Sequence, residues 1–496
     1  NNQSEQTTVL LQPKKEIAPF LPNESKQQWR IPHLRYFIVI IGTLAASIGI
    51  SCNFAYTFAI VCNVNQTMDT RSVYEESPSH SPIMYFPASI TNMNYSAFPA
   101  GNILALFLLI ALRGRIGVRN QVMVGSAIST LTTALIPFAY DYWPNSTLIL
   151  KFIQGASVAP TIPLIGHIAA NWTPLAEVGF FIAILSSYSQ VGLFITMSSA
   201  GPLCDAFGWR SIFYFNAACS ALVLFLWFFF FHDTPAQHNR LSVKEFHIIN
   251  PNEKRVVQAK PKVPFREFFK NASVWAVLIA AIGNYNGISP LIVFSSAILK
   301  KAVGLTDMQT SYYNAISFFM QLVLKIVSGV LSDRWTSVSE SFKTRFFNSI
   351  SCGLAGLLMI GTAFLPVENK VLCAVSITVT QSFIGFNSAG FNKAAMIVTK
   401  QYAYFIVTII GVIISASTIA EPFLVWAVAP ETTWEQWSDF LNLEIAGVRM
   451  KLLFQTLFEK TNTPPEILIY RLLSVFKTSL ISKKCDDISS VISVIR

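Results

Sequence analysis

Long apolar runs separated by short polar stretches dominate this 496-residue chain. An apolar run of roughly 20 residues is long enough to cross the hydrocarbon core of a bilayer, about 30 Å thick, as a helix. Eleven runs approach or exceed this length, and we predict a membrane span in each. They are 37–62, 97–112, 121–140, 148–170, 179–200, 211–231, 274–299, 311–331, 346–365, 371–391 and 404–428.

The spans fall into two groups, six before and five after a hydrophilic, basic stretch. This layout predicts an all-α polytopic membrane protein of two helical bundles. We expect a cytosolic segment at 1–36, a six-helix bundle at 37–231, a basic cytosolic loop at 232–272, a second bundle at 273–460 and an atypical tail at 461–496. A twelfth span is degraded, because charged residues interrupt its apolar run and each costs ~2.5–3.5 kcal/mol at a helix centre.

The composition supports a lipid environment. Hydrophobic residues make up 52% of the chain and charged residues 12%, which is about half the usual share of a soluble domain. So little charge cannot cover a water-soluble protein of this size, which argues against a soluble enzyme. We assign the net charge of +10 to loops on the cytosolic side rather than to nucleic-acid binding.

The distribution of basic residues predicts the orientation. With a cytosolic N-terminus, most Lys and Arg residues fall on the cytosolic side, as the positive-inside rule requires. The few on the other side are Arg71, Lys151, Arg210, Lys300, Lys301 and Lys370. The sequons at Asn65 and Asn94 then fall in the first non-cytosolic loop, where we predict glycosylation.

No motif indicates a cofactor, a metal or nucleotide hydrolysis. Five of the seven cysteines lie in apolar stretches, where they are expected to behave as small hydrophobic residues. We find neither metal-ligand spacing of Cys and His nor a Walker or G-x-G-x-x-G loop. Energy for any transport would therefore come from an ion gradient or the membrane potential.

A repeated motif gives the first family resemblance. Gly329-Val-Leu-Ser-Asp333-Arg334 follows the eighth span, and a degenerate copy follows the second span, with Gly114 in place of the acid. The arrangement resembles the paired loop signature of the major facilitator superfamily, which implies a fold of two six-helix bundles. The resemblance implies a gating latch at the cytosolic mouth, formed by Arg113, Arg115, Gly117, Arg119, Gly329, Asp333 and Arg334.

Longer strings narrow the resemblance to the anion:cation symporter group, which includes sialin, the vesicular glutamate transporters and the sodium/phosphate cotransporters. Among these strings are Trp172-Thr-Pro-Leu-Ala-Glu177 and Gly385-Phe-Asn-Ser-Ala-Gly-Phe-Asn392. The chain looks most like a divergent, sialin-related member. This implies a monomeric symporter that moves a small organic anion with H⁺ or Na⁺ by alternating access, in a vesicular, lysosomal or plasma membrane.

The sequence departs from the family pattern at two cationic positions. An Arg that often precedes an Asn in the first span is absent before Asn53, and Lys151 replaces the Arg that opens the fourth span. The loss of the first Arg means that neither glutamate nor sialic acid can be assigned as the substrate.

Ionisable residues near the midplane are candidate transport residues, because charge inside a membrane is costly and commonly functional. Lys325 lies eight residues before Asp333, about 12 Å into the bilayer at 1.5 Å per residue. Glu421 lies nine residues before Pro430, about 13 Å from the opposite face. Lys325 is expected either to bind an anionic substrate or to pair with Glu421, and a purely structural pair is the alternative.

Four further residues are candidates for substrate binding or ion coupling. The resemblance implies a coupling or gating role for Glu177, whose alternative is a solvated loop acid. His167 is either a titrating group or a satisfied core histidine. Asn53 either contacts substrate or bonds a neighbouring helix. Tyr285 lies in a polar interruption of the seventh span that is typical of a cavity lining.

Two other readings remain open at this stage. The chain is alternatively a transport-inactive membrane protein, or the product of a misread gene model with an altered C-terminus. A membrane-embedded acyltransferase would need a catalytic His, and only His167 lies within a span.

Overall fold

The structure, a computed structural model, is built from helices. It describes residues 33–63, 83–111, 116–174, 177–238, 240–249, 272–287, 289–391, 393, 403–430 and 433–440. No strand occurs in these ranges. Eight of the helices described are long and apolar enough to cross a membrane, or ten if each of two bent pairs counts as one span. The chain is therefore an integral, multi-pass membrane protein, whereas its exact number of spans stays a prediction.

The first six predicted spans correspond to eight helices. They are α1 (Leu34–Ala59), α2 (Ala88–Ala111), α3 (Val118–Tyr142), α4 (Thr147–Val158), α5 (Thr161–Asn171), α6 (Val178–Ser186), α7 (Tyr188–Phe207) and α8 (Trp209–Phe230). A short helix, α9 (Val243–Ile249), follows in the basic loop. We call this part the N-terminal half.

The later spans make up the C-terminal half. Its helices are α10 (Ala272–Asn286), α11 (Ser289–Val293), α12 (Asp307–Arg334), α13 (Glu340–Asn348), α14 (Ala355–Ala363), α15 (Lys370–Phe383) and α16 (Ala403–Val428). Short 3₁₀ and π segments extend several of them. Below, the inner end is the end of each helix predicted to face the cytosol, and the outer end is the opposite one.

Three spans are broken rather than continuous. Pro160 separates α4 from α5, because it lacks the N–H that an uninterrupted helix needs. The pair α6 and α7 bends by 41° at Ser187. In the seventh span α10 ends at Asn286 and α11 begins at Ser289, and the span bends by 45° farther on, at Phe294. Such breaks leave backbone carbonyls that ligands and side chains can use.

The two halves meet along two helix pairs. On one side α7 packs against α12, where a Cβ on Gly201 would collide with Ser311, so glycine is required for this close approach. The Gly201 N–H donates to Ser311 Oγ over 2.8 Å. On the other side α2 packs against α16, and Ser96 Oγ donates to the Ile419 carbonyl over 2.8 Å.

The apolar cores differ between the two ends of the molecule. At the outer end one cluster joins both halves, and it includes Phe58, Trp209, Phe294, Phe318 and Trp437. At the inner end the described residues form separate clusters. One belongs to the N-terminal half and the other to the C-terminal half. Among the described residues, the two halves therefore share an apolar core at their outer end only.

Cys62, which was expected to behave as a small apolar residue, forms a disulfide with Cys204 instead. Cys62 follows α1 and Cys204 lies near the end of α7, 142 residues later. Both are at the outer end, in agreement with the predicted orientation, because disulfides persist in non-cytosolic compartments. The bond ties the first span to the fifth within the N-terminal half.

The glycosylation predictions have different outcomes. The placement of Asn94 in a loop is wrong, because α2 begins at Ala88 and buries this residue completely. Its amide donates to the Ile90 carbonyl and accepts from Thr147 Oγ1, each over 3.1 Å. The side chain is therefore not available for glycosylation. Asn65 lies outside the described residues and stays a prediction, as do Arg113, Arg115 and the tail beyond residue 440.

Candidate functional site

Lys151 is the most deeply buried cation in the part of the N-terminal half that the structure describes. It lies in the second turn of α4 and is 1% exposed, rather than facing the outer side as its position in the sequence suggested. Its ammonium donates to Asn53 Oδ1 over 2.6 Å and to the Asn53 carbonyl over 3.2 Å. A further bond of 3.1 Å reaches Gln154 Oε1.

Aromatic rings complete the surroundings of this ammonium. Its Nζ atom lies 5.0 Å from the centre of the Tyr56 ring and 5.5 Å from that of Phe98, distances typical of cation–π contacts. All of these partners are uncharged, and no described carboxylate pairs with Lys151. The result is a buried positive charge that only dipoles and π electrons stabilise.

The Lys151 cluster continues into the third span. Gln154 Nε2 donates to Thr133 Oγ1 over 2.7 Å, and Thr133 Oγ1 in turn donates to the Ser129 carbonyl over 2.6 Å. Asn53, for which substrate contact and helix bonding were both open, thus joins a polar chain through α1, α4 and α3. Gln154 and Thr133 are each held from two sides, which helps to fix the ammonium in place.

Lys325 forms a second cationic cluster at the junction of the halves. It is 6% exposed, and its ammonium donates to the Ser186 carbonyl over 2.5 Å and to Gln190 Oε1 over 3.4 Å. Ser186 is the last residue of α6, so the ammonium lies at the negative end of a helix dipole. Gln190 also donates to Gln321 Oε1 over 3.4 Å. Lys325 therefore links α12 to the break in the fifth span.

Glu421 and Lys325 have different partners. Glu421 is 5% exposed and accepts a hydrogen bond of 2.5 Å from Ser289 Oγ, at the start of α11. Lys325 and Glu421 therefore do not form the pair that was one of the two predictions from the sequence. Tyr285 lies at the same break and packs against Phe391, with ring centres 6.2 Å apart, in the core of the C-terminal half.

The remaining candidates lie at the inner end. Glu177 accepts hydrogen bonds from Arg35 over 3.1 Å and from the Tyr36 hydroxyl over 3.2 Å, so it ties the start of α1 to the loop before α6. His167 Nε2 lies 2.7 Å from the Asp233 carbonyl oxygen, and Asn171 bonds to the same histidine. These contacts hold the first part of the basic loop against the helix ends.

The structure places the described gating residues within single halves. Asp333 lies 3.2 Å from Lys393, which also pairs with Glu340 over 3.0 Å. Hydrogen bonds from Lys343 and Lys393 lower the pKa of the Glu340 carboxyl. No described residue pairs Asp333 across the inner mouth, and a Cβ on Gly329 would meet nothing within 4 Å, so this glycine is not a site of close helix approach.

In the degenerate copy of the motif, an acidic residue from outside the motif lies beside it. Asp233, just after α8, accepts a hydrogen bond of 2.8 Å from the backbone N–H of Arg119, in the first turn of α3. A Cβ on Gly117 would lie 2.5 Å from the Asp233 carboxylate, so glycine makes room for it. The carboxylate thus caps a helix N-terminus, where negative charge is favoured.

No described cluster provides a metal centre. Cys204, Asp205 and Asp307 place their ligand atoms within 4.8 Å of one another. The Cys204 sulfur is already committed to the disulfide, and Asp307 pairs with Lys300 over 2.9 Å.

Comparison with known proteins identifies the family. Residues 35–423 match the sequence profile described as Major Facilitator Superfamily. The chain belongs to the Major Facilitator Superfamily. The family explains the two helical halves and the paired motif, and it confirms the fold class predicted from the sequence. Its members are membrane transporters, so transport is the activity to be accounted for.

Named relatives in this superfamily come from the group that the motifs indicated. Human (Homo sapiens) sialin is 21% identical over 342 residues, which cover 68% of each chain. Vesicular glutamate transporter 1 from Xenopus laevis is 23% identical over 422 residues, covering 81% of this chain and 71% of the relative. The crystal structure of the nucleoside transporter NupG superposes with a TM-score of 0.59, at 12% identity and 86% coverage of this chain (100% of that one). The last likeness concerns the fold alone.

Proposed function

We propose that this protein is a secondary active transporter of a small organic anion. Transport runs by alternating access and is driven by a gradient of H⁺ or Na⁺. We further propose that the protein acts as a monomer in a vesicular, lysosomal or plasma membrane. The observation that carries the proposal is the buried ammonium of Lys151, whose described partners are all uncharged.

An anionic substrate would stabilise this ammonium. Moving an isolated charge out of water costs several kcal/mol, which hydrogen bonds to neutral groups offset only in part. A carboxylate or phosphate placed beside Lys151 supplies the missing opposite charge. The Asn53 amide adds a donor for the same ligand, and the Tyr56 ring provides an apolar wall.

Lys325 would couple anion binding to the relative movement of the two halves. Its hydrogen bond to the Ser186 carbonyl crosses from the C-terminal to the N-terminal half. An anion that draws this ammonium away from the carbonyl would release the contact. Substrate binding and the relative motion of the halves are then coupled through one side chain.

The arrangement of the cores supports alternating access. A shared apolar cluster closes the outer end, while the inner clusters of the two halves are separate. This is the distribution expected of a conformation that opens towards the inner side. Rocking the halves about the midplane would part the outer cluster and join the inner ones.

The relatives support the substrate class. One of them is named as a transporter of glutamate, an organic anion. Lys151 stands where the resemblance places an Arg. The positive charge is therefore kept at this position, but an ammonium replaces the planar guanidinium. A single ammonium binds an anion as a point charge rather than through two parallel bonds, so we expect looser discrimination among anions.

Uptake into proteoliposomes tests the proposal. The purified chain is reconstituted, a pH or Na⁺ gradient is imposed, and accumulation of radiolabelled glutamate, N-acetylneuraminate and phosphate is measured. We expect gradient-dependent uptake of at least one anion, and its loss in Lys151→Met. Lys370→Met is the matched control, because Lys370 is exposed and bonds only the Gly304 carbonyl among the described residues.

Two results would contradict the proposal. One is the absence of flux for every anion in vesicles that contain folded protein. The other is equal uptake by the Lys151→Met and Lys370→Met variants, which would remove the buried ammonium from the mechanism.

A further inference from the structure

Three aromatic rings lie on the protein surface at the inner end of α8. Phe225, Phe228 and Phe229 are 58%, 51% and 50% exposed, in the last two turns of the helix. Because α8 ends at Phe230, Phe225 lies about 7.5 Å deeper than the helix end at 1.5 Å per residue. The rings therefore extend from the inner surface of the membrane into its hydrocarbon, where exposed aromatic side chains contact lipid.

Two guanidinium groups flank these rings. Arg119, in the first turn of α3, donates through Nη2 to the Phe228 carbonyl over 2.7 Å, and its Cζ lies 6.0 Å from the centre of the Phe228 ring. Arg240 Cζ lies 5.1 Å from the centre of the Phe230 ring. His238 holds Arg240 in place, because its Nδ1 accepts from the Arg240 N–H over 3.2 Å. Both cations thus lie at the level where α8 ends.

Neither guanidinium group has an acidic partner. Among the described residues, no carboxylate lies within ion-pair distance of the Arg119 or the Arg240 side chain. Asp233 accepts instead from the backbone N–H of Arg119 over 2.8 Å and lies 3.6 Å from His167 Nε2. Burial lowers the pKa of His232, and the positive charges of Arg119 and Arg240 lower it further. Both guanidinium groups therefore act on the same ring, and two cations face one carboxylate there.

The short helix α9 adds a cation to this end of the protein. Its one acid, Glu245, is 7% exposed and accepts from the backbone N–H groups of Leu34 and Arg35 over 3.1 Å and 3.0 Å. Lys244 and Ile248 lie one turn apart on α9 and are both exposed. An exposed cation beside an exposed apolar side chain is typical of a helix at a membrane surface.

The basic surface, as we call it, consists of Arg119, Arg240, Lys244, Phe228 and Phe229. We propose that the basic surface binds an anionic phospholipid of the inner leaflet. The headgroup phosphate accepts hydrogen bonds from the guanidinium groups, and the acyl chains lie along the phenylalanine rings. A free phosphate ion would contact the cations but would gain nothing from the rings, so we assign the surface to a lipid.

The bound lipid would connect three segments of the N-terminal half. Arg119 belongs to α3, Arg240 to the start of the basic loop and Lys244 to α9. One headgroup that attracts all three cations would hold these segments together at the membrane surface. The basic surface lies at the inner end, whereas Lys151 lies in the second turn of α4 from the outer end. The inference therefore goes beyond the proposed function and does not depend on which anion is transported.

Thermal unfolding of the purified, detergent-solubilised full chain tests the lipid site. The midpoint Tm is measured while phosphatidylglycerol, or phosphatidylcholine with identical acyl chains, is added to the micelles at constant ionic strength. We expect a saturable rise of Tm with phosphatidylglycerol, at a mole fraction roughly tenfold lower than phosphatidylcholine requires. In Arg240→Gln, half-saturation should require roughly fivefold more phosphatidylglycerol, because one basic residue beside the headgroup is lost.

Lys370→Gln is the matched control, because Lys370 is an exposed cation at the outer end that bonds the Gly304 carbonyl over 3.1 Å. It should respond to phosphatidylglycerol as the wild type does. If Arg240→Gln does not fold, Lys244→Gln removes another exposed cation of the basic surface and provides the same comparison.

Three results would overturn the inference. The first is an equal response of the wild-type Tm to the two lipids. The second is the same half-saturation by phosphatidylglycerol in the basic-surface variant and in Lys370→Gln. The third concerns the source of the phosphate, and it is tested by replacing potassium chloride with potassium phosphate at constant ionic strength. A rise of Tm with phosphate that Arg240→Gln weakens would assign the cations to a free ion instead of a lipid.

Discussion

The ammonium of Lys151 lies 2.6 Å from Oδ1 of Asn53, and the two residues join the fourth span to the first. Asn53 is neutral, so the contact orients the ammonium without cancelling its charge. A carboxylate in place of the amide would form a buried ion pair and leave no net charge for a substrate. The neutrality of residue 53 is therefore central to the proposed anion site.

Asn53→Asp should make the protein inactive while it remains folded. The new carboxylate pairs with Lys151 and competes with the substrate, so we expect anion uptake to fall by roughly a hundredfold, equivalent to about 3 kcal/mol. Proteoliposome uptake measures the effect, with Asn53→Ala as the comparison. Greater uptake by Asn53→Asp than by Asn53→Ala would show that the charge of Lys151 is not what binds the anion.

Lys325 and Glu421 should contribute independently to stability and transport. Lys325 donates to Ser186 and Gln190, whereas Glu421 accepts from Ser289, so these hydrogen bonds of the two groups involve different residues. We expect the effects of Lys325→Met and Glu421→Gln on the free energy of unfolding to add within about 0.5 kcal/mol. A double-mutant cycle provides the measurement, and a coupling of 2 kcal/mol or so would reveal a direct pair instead.

The disulfide between Cys62 and Cys204 should be detectable by mass-tagging. Denatured protein treated with a polyethylene-glycol maleimide should gain two further tags after reduction. Cys62→Ser should free the partner thiol and lower stability by about 2–4 kcal/mol, because the bond closes a long loop. Equal numbers of tags before and after reduction would contradict the bond.

The start of the basic loop should loosen as the pH falls. Burial lowers the pKa of His238 to about 4, and the neighbouring His232 and Arg240 act in the same direction. The ring bonds the Phe230 carbonyl through Nε2 and accepts from the Arg240 N–H at Nδ1, so its neutral form fits the fold. A histidine whose pKa is lower when folded gives stability that is complete above about pH 6.5 and declines towards pH 4.

Hydrogen exchange of residues 232–249 at pH 7 and pH 5 measures this loosening. Because the intrinsic rate of amide exchange falls with pH, the rates are compared as protection factors, and we expect lower protection at pH 5 than at pH 7 in the wild type and a smaller difference in His238→Gln. An unchanged pH dependence in that variant would assign the effect to another group.

The helices and their grouping could be predicted from the sequence, because an apolar run long enough to cross a membrane forms a helix there. A run such as 404–428 has no alternative but to form a helix in lipid, where every backbone group must be bonded internally. The end of α10 at Asn286 coincides with polar residues that interrupt an apolar run, whereas the 45° bend at Phe294 has no such signal in the sequence. The start of α2 at Ala88 was missed because polar residues shorten the apolar run there, although two of them, Asn92 and Asn94, are buried within the protein.

The candidate site could be predicted only in part, because the position of a residue within an apolar run does not always show its depth. Lys325 was found because it lies deep inside a span, whereas Lys151 was counted with the outer loops since its run begins at Leu148. The available signal was that Lys151 follows Thr147 within the same helix and has no acidic neighbour in sequence. The partners of Glu421 and the Cys62–Cys204 bond depend on contacts between distant segments, which periodicity does not report.

Anion binding to the purified protein tests the central claim most directly. Isothermal titration of the wild type, Lys151→Met and Lys370→Met with glutamate, N-acetylneuraminate and phosphate measures the affinity without requiring flux. We expect at least one anion to bind the wild type and Lys370→Met equally, and to bind Lys151→Met at least roughly a hundredfold more weakly. Equal affinity of the wild type and Lys151→Met for that anion would contradict the account.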